Sequence, residues 1–249
     1  MELSEYTTMA LLEDSYWWYV GLKDLVHRAL TSGVSGSRVV HALDAGCGTG
    51  ARLVSLSEIF PGSLVVGMDI AKAAIDYAAR KQKGHVVCGS ANRLPFQAGT
   101  FDVGLCIDVL DVQGVEERVA LQEIHRVLRP GGLLILNVPA FESLRGTHDA
   151  AVHRRHRYQR GELRQALTQH GFAVEKLIYW NALLFPLVFV VRRWLRPGNG
   201  TVAPRSDLWP LPQKLNRFLT ALLAMDIRIC TRINLPFGTS LFGIASKLP

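Results

Sequence analysis

The sequence predicts an α/β fold in which helices cover both faces of a mostly parallel sheet. Short runs of consecutive apolar residues alternate with segments of helical periodicity, and such continuous runs are typical of strands that are buried on both faces. Turns rich in glycine and proline separate these segments. The 249 residues, 49% of them hydrophobic, are enough for one domain of this kind with added elements.

The predicted elements follow one another in regular order. Strands are predicted at 38–45, 64–68, 85–88, 101–107, 133–138, 172–179 and 241–246. Helices are predicted at 9–32, 51–60, 70–83, 115–128 and 161–170, and a helical stripe of apolar residues runs from Leu215 to Ile229. Because ligands bind at the carboxyl ends of the strands in such sheets, we expect functional residues just after each strand.

Composition and charge narrow the class of protein. The four cysteines lack CxxC spacing, which predicts neither a zinc site nor a disulfide framework. An acidic start without an apolar stretch behind it favours the cytoplasm, and no apolar run reaches the roughly 20 residues that span a bilayer. The net charge of +7 arises in residues 121–249, which hold 18 Lys and Arg against 7 Asp and Glu. That excess suggests an anionic partner.

A glycine-rich loop at 44–50, with the sequence DAGCGTG, lies between a predicted strand and a predicted helix. Asp69 ends the next strand, where a carboxylate can accept both hydroxyls of a ribose. Two cofactors compete for this arrangement. Gly46, Gly48 and Ala51 fit a dinucleotide fingerprint, in which pyrophosphate lies on the helix N-terminus. S-adenosylmethionine instead carries a cationic sulfonium and an α-amino group, for which the acidic Asp44 is useful.

Together, these residues and four further segments resemble class I S-adenosylmethionine-dependent methyltransferases, of the methyltransferase type 11-like branch. The further segments are 90–96, which has Asn92 where the family usually has Asp, then 101–103, 107–110 and 128–132. The resemblance implies a Rossmann-like, seven-stranded sheet with its last strand antiparallel, and S-adenosylhomocysteine as product. The cofactor-binding residues that it implies are Asp44, Gly46, Cys47, Gly48, Gly50, Asp69, Ile70, Asn92, Arg93 and Asp108.

The flanks resemble a narrower branch with an amino-terminal Trp-Trp signature, here Glu13 followed by the aromatic residues 16–19. The segments 138–140, 148–149, 157–158 and 235–238 and the closing Lys247 also resemble that branch. We accordingly expect one methyltransferase domain over 1–249, with a helical cap at 1–37 and a cofactor-binding core at 38–140. Residues 141–249 would hold an acceptor-side loop, a helical insertion and the last strands. Members of this branch are often linked with surface-polysaccharide or lipid-linked sugar pathways.

The acceptor side is predicted from the loop after the fifth strand. His148 beside Asp149, or Tyr158, is a candidate base, and Arg157 could clamp an anionic group. Many relatives read Glu-His after the fourth strand where this chain has Asp-Val at 111–112, so no histidine base is expected there. Further predicted substrate-binding residues are Trp17, Tyr19 and Asp149, whereas Trp18 is expected to pack on the core.

The predicted reaction is methyl transfer to a small or lipid- or sugar-linked, anionic acceptor, on oxygen or nitrogen. The alternative is a non-catalytic S-adenosylmethionine-fold module that binds at a membrane. A nicotinamide oxidoreductase is a further alternative. A nucleic-acid methyltransferase is disfavoured, because the fourth strand ends without an Asn/Asp-Pro-Pro-aromatic motif.

An apolar segment at 182–191 predicts peripheral membrane contact. Ten consecutive residues of Ala, Leu, Phe, Pro and Val are followed by Arg192, Arg193 and Arg196, with Trp194 between them. An apolar segment with a Trp and a basic border fits a bilayer interface, although ten residues cannot span one. The competing explanation is a helix buried on the sheet or a lid over an apolar acceptor.

Overall fold

The centre of the fold is a seven-stranded sheet in a computed structural model that describes residues 2–33, 40–192 and 208–248. The strands are β1 (His41–Ala45), β2 (Leu64–Asp69), β3 (His85–Cys88), β4 (Phe101–Ile107), β5 (Leu128–Pro139), β6 (Phe172–Trp180) and β7 (Ser240–Lys247). Their order is β3-β2-β1-β4-β5-β7-β6, and β7 runs antiparallel to both of its neighbours. The predicted fold class and antiparallel last strand are confirmed.

Helices cover the two faces of the sheet. They are α1 (Leu3–Leu12), α2 (Trp17–Gly33), α3 (Ala51–Ile59), α4 (Lys72–Arg80), α5 (Glu117–Val127), α6 (Thr147–Ala151), α7 (Arg160–Gln169), α8 (Phe185–Val190) and α9 (Gln213–Cys230). One face packs on α5 and α7 through side chains such as Ile124 and Leu163, and the other packs on α2, α3 and α9. All seven residues of β4 are buried, as expected for a strand between two helical layers.

The prediction of one helix over 9–32 is wrong, because the chain turns between α1 and α2. Glu13 closes α1 with its N–H on the carbonyl of Met9, and Tyr16 lies ahead of α2. The apolar periodicity that predicted one helix belongs to α2, whose buried residues include Leu22, Leu25 and Val26. The break allows α1 to leave the core and cross the carboxyl ends of the strands.

The apolar segment at 182–191 forms the short helix α8 on the protein's surface. Asp226 of α9 is buried and accepts the N–H groups of Asn181, Ala182 and Leu183 at 2.6, 2.8 and 2.8 Å, which fixes where α8 begins. No residue of α8 is buried. Within 2–33, 40–192 and 208–248, no helix combines the length and the hydropathy that crossing a membrane requires. The predicted contacts of Arg193, Trp194 and Arg196 fall outside the described residues.

Candidate active site

The glycine-rich loop after β1 folds back onto the end of β2. The N–H groups of Gly46 and Cys47 both donate to the carbonyl of Met68, at 2.7 and 2.8 Å. Gly50 has a φ of +90°, and a Cβ there would lie 2.9 Å from the Cα of Ala78 in α4. Glycine is therefore required at this position both by backbone conformation and by the close approach of a helix. The fold brings the loop directly over the strand end that carries the predicted ribose-binding acid.

Asp44 is a buried carboxylate with one committed oxygen and one open oxygen. Its Oδ2 accepts a hydrogen bond from Nε of Arg52 at 3.0 Å, and the same guanidinium also donates to the carbonyl of Gly46. Its Oδ1 is buried and has no hydrogen-bond partner among the described residues. Burial raises the pKa of Asp44, and the charge of Arg52 opposes that rise. A buried acceptor without a donor fits an ammonium group of a ligand, such as the α-amino group of S-adenosylmethionine.

Asp69 is held in place by two backbone donors. Its Oδ2 accepts the N–H of Gly48 at 3.0 Å, and its Oδ1 accepts the N–H of Ala71 at 2.9 Å. Each carboxylate oxygen retains a second lone pair, so the side chain can still accept from the hydroxyls of a ribose. The next residue, Ile70, is 72% exposed. An exposed apolar side chain beside the ribose position fits the flat face of an adenine.

Asn92 connects two loops at the same edge of the sheet. Its amide nitrogen donates to the carbonyl of Gly114 at 2.8 Å, and its Oδ1 accepts the N–H of Glu116 at 2.9 Å. The amide thus ties the loop after β3 to the loop before α5, while Arg93 is exposed beside it. Direct contact of either residue with adenine stays a prediction.

Asp108, just after β4, is positioned by a buried chain of hydrogen bonds. Its N–H donates to the carbonyl of Asn137 at 2.8 Å, and the amide of Asn137 returns a bond to Asp108 Oδ1 at 3.0 Å. The indole of Trp180 donates to Asn137 Oδ1 at 2.8 Å, which fixes the direction of that amide. Asp108 has a φ of +54°, an uncommon conformation for a residue other than glycine. Burial, and next the charge of Asp111, raise the pKa of Asp108 to about 6.

The amino-terminal helix covers this edge of the sheet. Glu13 accepts the hydroxyl of Thr49 in the glycine-rich loop at 2.6 Å and pairs with Lys81, after α4, at 2.7 Å. At the other end of α1, the N–H of Glu2 donates to Ala151 at 3.1 Å. The predicted helical cap is thus tied to both the cofactor side and the acceptor side. The family signature that contains Glu13 predicts no role for this residue, and the structure shows which groups it joins.

The aromatic residues of the Trp-Trp signature separate into different surroundings. Trp18 stacks on Trp180 with ring centroids 5.9 Å apart, as expected for a residue packed on the core. Trp17 also packs against that core, and its N–H donates to Asn216 of α9 at 3.0 Å. Burial, and next the charges of Glu13 and Asp108, raise the pKa of the Tyr19 phenol. Contact of Trp17 or Tyr19 with an acceptor stays a prediction.

The loop after β5 requires a correction. Arg157 is 3% exposed, and its guanidinium donates to both oxygens of Asp149 and to the carbonyl of Ala140. Asp149 also pairs with Arg154 at 3.2 Å. The expectation that Arg157 and Asp149 bind an acceptor is wrong for this structure, because each is already taken up by the other.

The two candidate bases have different outcomes. Tyr158 is fully buried, its hydroxyl donates to the carbonyl of Leu110 at 3.3 Å, and burial raises its pKa far above the ordinary value. A phenol held in this way is a poor proton acceptor, so Tyr158 is not supported as a base. His148 lies half-buried on the short helix α6, and its role stays a prediction.

Comparisons with known proteins show which families this chain is similar to. Residues 43–136 match the model of a family described as methyltransferase domain. A malonyl-[acyl-carrier protein] O-methyltransferase of Dechloromonas aromatica is 33% identical over 150 residues, which cover 58% of this chain and 56% of that protein. The O-methyltransferase resE of Aspergillus sclerotiorum is 36% identical over 116 residues, 44% of this chain and 43% of that protein. The chain spans about half, or less, of the length of these curated relatives.

A solved structure extends the comparison of the fold to nearly the whole chain. The S-adenosylmethionine-dependent methyltransferase from Mesorhizobium loti has a TM-score of 0.60 and 15% identity over 94% of this chain and all of that one. The fold and the loop at 44–50 thus define a Rossmann-like domain whose cofactor is S-adenosylmethionine. Residues 43–136 thus match a methyltransferase domain, and the chain is similar to S-adenosylmethionine-dependent methyltransferases.

Proposed function

We propose that this chain transfers the methyl group of S-adenosylmethionine to a small or lipid- or sugar-linked acceptor, and that Asp44 binds the α-amino group of the cofactor. The open oxygen of Asp44, which is buried and has no donor among the described residues, is the observation that carries this proposal. Asp69, the last residue of the neighbouring strand β2, supplies the acid for the ribose. Methyl transfer asks mainly for alignment of donor and acceptor, which a rigid strand edge provides.

The role of Asp44 is tested by comparing two ligands by calorimetry. S-adenosylhomocysteine carries the α-amino group, whereas 5′-methylthioadenosine lacks it and shares the nucleoside. Asp44→Asn should weaken the affinity for S-adenosylhomocysteine by about 10- to 150-fold, the range expected for the loss of a hydrogen bond to a charged group. It should leave the affinity for the second ligand nearly unchanged. Asp76→Asn, at an exposed ion pair on α4, is the matched control.

Two outcomes would defeat the assignment of Asp44. Equal weakening of both ligands would show that the variant damages the loop rather than one contact. Unchanged affinity for both would show that the open oxygen is not used. Binding of NAD by the unaltered chain would favour the dinucleotide alternative for the loop as a whole.

The acceptor is proposed to bind between Asp108 and the loop after β5. Most arginines of that loop are neutralised internally, so the proposed anionic character of the acceptor rests mainly on Arg155, which is exposed and makes no ion pair among the described residues. A lipid-linked acceptor is supported by α8, because Phe185 contacts Phe141 of this loop with ring centroids 5.8 Å apart. The exposed apolar helix thus borders the proposed acceptor side.

Two extracts and one labelled cofactor test the proposed acceptor class. Separate lipid and aqueous cell extracts are incubated with the protein and methyl-labelled S-adenosylmethionine, and new labelled products are found by mass spectrometry. We expect a product in the lipid extract that is lost with Asp44→Asn and kept with Asp76→Asn. Label confined to the aqueous extract would exclude a lipid-linked acceptor and leave methyl transfer itself intact. Cofactor binding without product in either extract would favour the non-catalytic alternative.

A further inference from the structure

The helix α9 carries two apolar faces, of which one is buried. Its inner face, with Leu223, Ile227 and Cys230, packs on the sheet and on α2. Gly21 of α2 allows the two helices to approach, since a Cβ at that position would collide with the side chain of Leu223. This packing explains half of the apolar content of α9 and leaves the other half on the surface.

A second row of apolar side chains runs along the outside of α9. Its members are spaced by three and four residues, so they form a single line along an α-helix. We call this row the outer stripe, and it consists of Leu215, Phe218, Leu222, Met225 and Ile229. Phe218 is 63% exposed and Met225 is 48% exposed. An exposed apolar row of this length on one helix marks a surface that meets something apolar.

Cations follow the outer stripe along one edge. Lys214, Arg217 and Arg228 each come immediately before a member of the stripe, so all three lie on the same side of it. All three are exposed, and none makes an ion pair among the described residues. The one acidic residue of α9, Asp226, is buried against the residues that precede α8 and does not offset them.

The apolar surface continues from α9 onto α8. Asp226 holds the start of α8 beside α9, and Phe185 of α8 contacts Phe237 with ring centroids 5.4 Å apart. Leu187 and Val190 of α8 are 60% and 49% exposed. The outer stripe and α8 therefore belong to one surface region, and α8 connects it to the loop after β5 through Phe141.

We propose that the outer stripe and α8 lie in the surface of an anionic lipid bilayer, with Lys214, Arg217 and Arg228 on lipid phosphates. An amphipathic helix with cations along the edge of its apolar face binds in this way. A second copy of the chain is a poorer occupant, because stripes that pack on each other would bring two rows of cations together. This inference rests on the proposed lipid-linked acceptor for its purpose, since it places the acceptor side next to the membrane.

Vesicle flotation of the full chain, saturated with S-adenosylhomocysteine, tests the proposed surface. The vesicles are phosphatidylcholine alone, or the same lipid with about one third phosphatidylglycerol. We expect flotation with the anionic vesicles only, and release at high salt. Each cation near an anionic surface adds roughly fivefold to partitioning. The partitioning of the triple variant Lys214→Gln/Arg217→Gln/Arg228→Gln into anionic vesicles should therefore fall on the order of 100-fold.

Two further variants separate charge from apolar contact. The control Lys23→Gln/Lys72→Gln/Arg164→Gln removes the same charge from exposed positions on other helices and should float like the unaltered chain. The variant Phe218→Gln/Met225→Gln keeps every charge and should lose at least tenfold in partitioning through lost apolar burial. Calorimetry with S-adenosylhomocysteine shows whether each variant is folded and binds cofactor.

Three results would overturn the proposed membrane surface. The first is a failure of the unaltered chain to float with anionic vesicles, and the second is an equal loss of flotation in the test and control triple variants. The third result is a dimer in sedimentation that dissociates in the Phe218→Gln/Met225→Gln variant. The last result would assign the stripe to a second copy of the chain. Flotation without cofactor binding would defeat the proposed methyl transfer and leave the membrane surface supported. Cofactor binding without flotation would defeat the membrane surface and leave the proposed methyl transfer unaffected.

Discussion

The buried carboxylate of Asp149 holds the loop after β5, and its removal should destabilise the protein strongly. Gly146 donates its N–H to Asp149 at 2.7 Å, while Arg157, Arg154 and Arg192 pair with it at 2.8, 3.2 and 3.5 Å. Asp149→Asn keeps the size of the side chain and removes its charge, which leaves Arg157 buried without an anion. Breaking a buried pair from one side costs about 3–5 kcal/mol, so we expect that loss in the free energy of unfolding.

The pKa of Asp149 gives a second, smaller value for the same interaction. Burial alone would raise this pKa, but the charges of Arg157, Arg154 and Arg192 outweigh it and hold the pKa at about 2, against 3.8 ordinarily. The difference corresponds to about 2.5 kcal/mol of stability. Because the folded-state pKa is the lower one, this stability is complete at neutral pH, begins to fall below about pH 5 and is lost as the pH approaches 2.

Urea unfolding at several pH values checks both statements. At neutral pH, Asp149→Asn should lose about 3–5 kcal/mol, whereas Asp76→Asn, at an exposed pair with Lys72, should lose about 0–1 kcal/mol. The difference between the unaltered chain and Asp149→Asn should shrink as the pH falls below about 5. A loss in Asp149→Asn as small as that of the control, or a difference that does not change with pH, would refute the account of this loop.

Three further predictions concern the cofactor edge. Asp69→Ala should weaken binding of S-adenosylhomocysteine by about 1.5–3 kcal/mol in calorimetry, with Asp76→Ala unchanged; an unaltered affinity in the first variant would contradict its ribose role. Glu13→Ala should raise hydrogen exchange in α1 about tenfold or more, because it removes the contact with Thr49 that helps hold this helix; unchanged protection would show that other contacts suffice. The affinity for S-adenosylmethionine relative to S-adenosylhomocysteine should increase as the pH rises through about 6, because Asp108 becomes negative there and the sulfonium is cationic. Asp108→Asn should make that ratio independent of pH, and a ratio that is already flat in the unaltered chain would separate Asp108 from the sulfonium.

The sheet and the cofactor loop could be predicted because their signals are local. Continuous apolar runs such as 103–107 are most stable as a strand buried between two helical layers. The glycine-rich sequence around Gly50 predicts a tight turn by itself. The close approach of Ala78, which also requires glycine there, is visible only in the structure. Asp44 and Asp69 could then be predicted to lie close together, since the carboxyl ends of parallel strands meet at one edge of the sheet.

The acceptor side could not be predicted in the same way, because charged residues there pair over long distances. In the sequence, Arg157 stands in a basic segment that resembles a solvated, anion-binding loop. In the structure it is enclosed with Asp149, and that depends on how the loop folds over the end of β5. The surroundings of Trp17 could not be predicted for a similar reason. Consecutive aromatics give no clue to which of them meets α9, which is about 200 residues further along the chain.

The charges at the carboxyl edge of the sheet help to decide between the two cofactors that the glycine-rich loop left open. Carboxylates crowd this edge, and the raised pKa of Asp108 is in part a consequence of that crowding. The acids are Asp44, Asp69, Asp108 and Asp111. Within the described part of the chain, the cations that pair directly with them are Arg52 on Asp44 and Arg154 on Asp111. A pyrophosphate would add two negative charges to an edge that is already acidic, where like charges repel. A sulfonium and an ammonium would instead relieve the repulsion, and the open oxygen of Asp44 would gain the donor that it lacks.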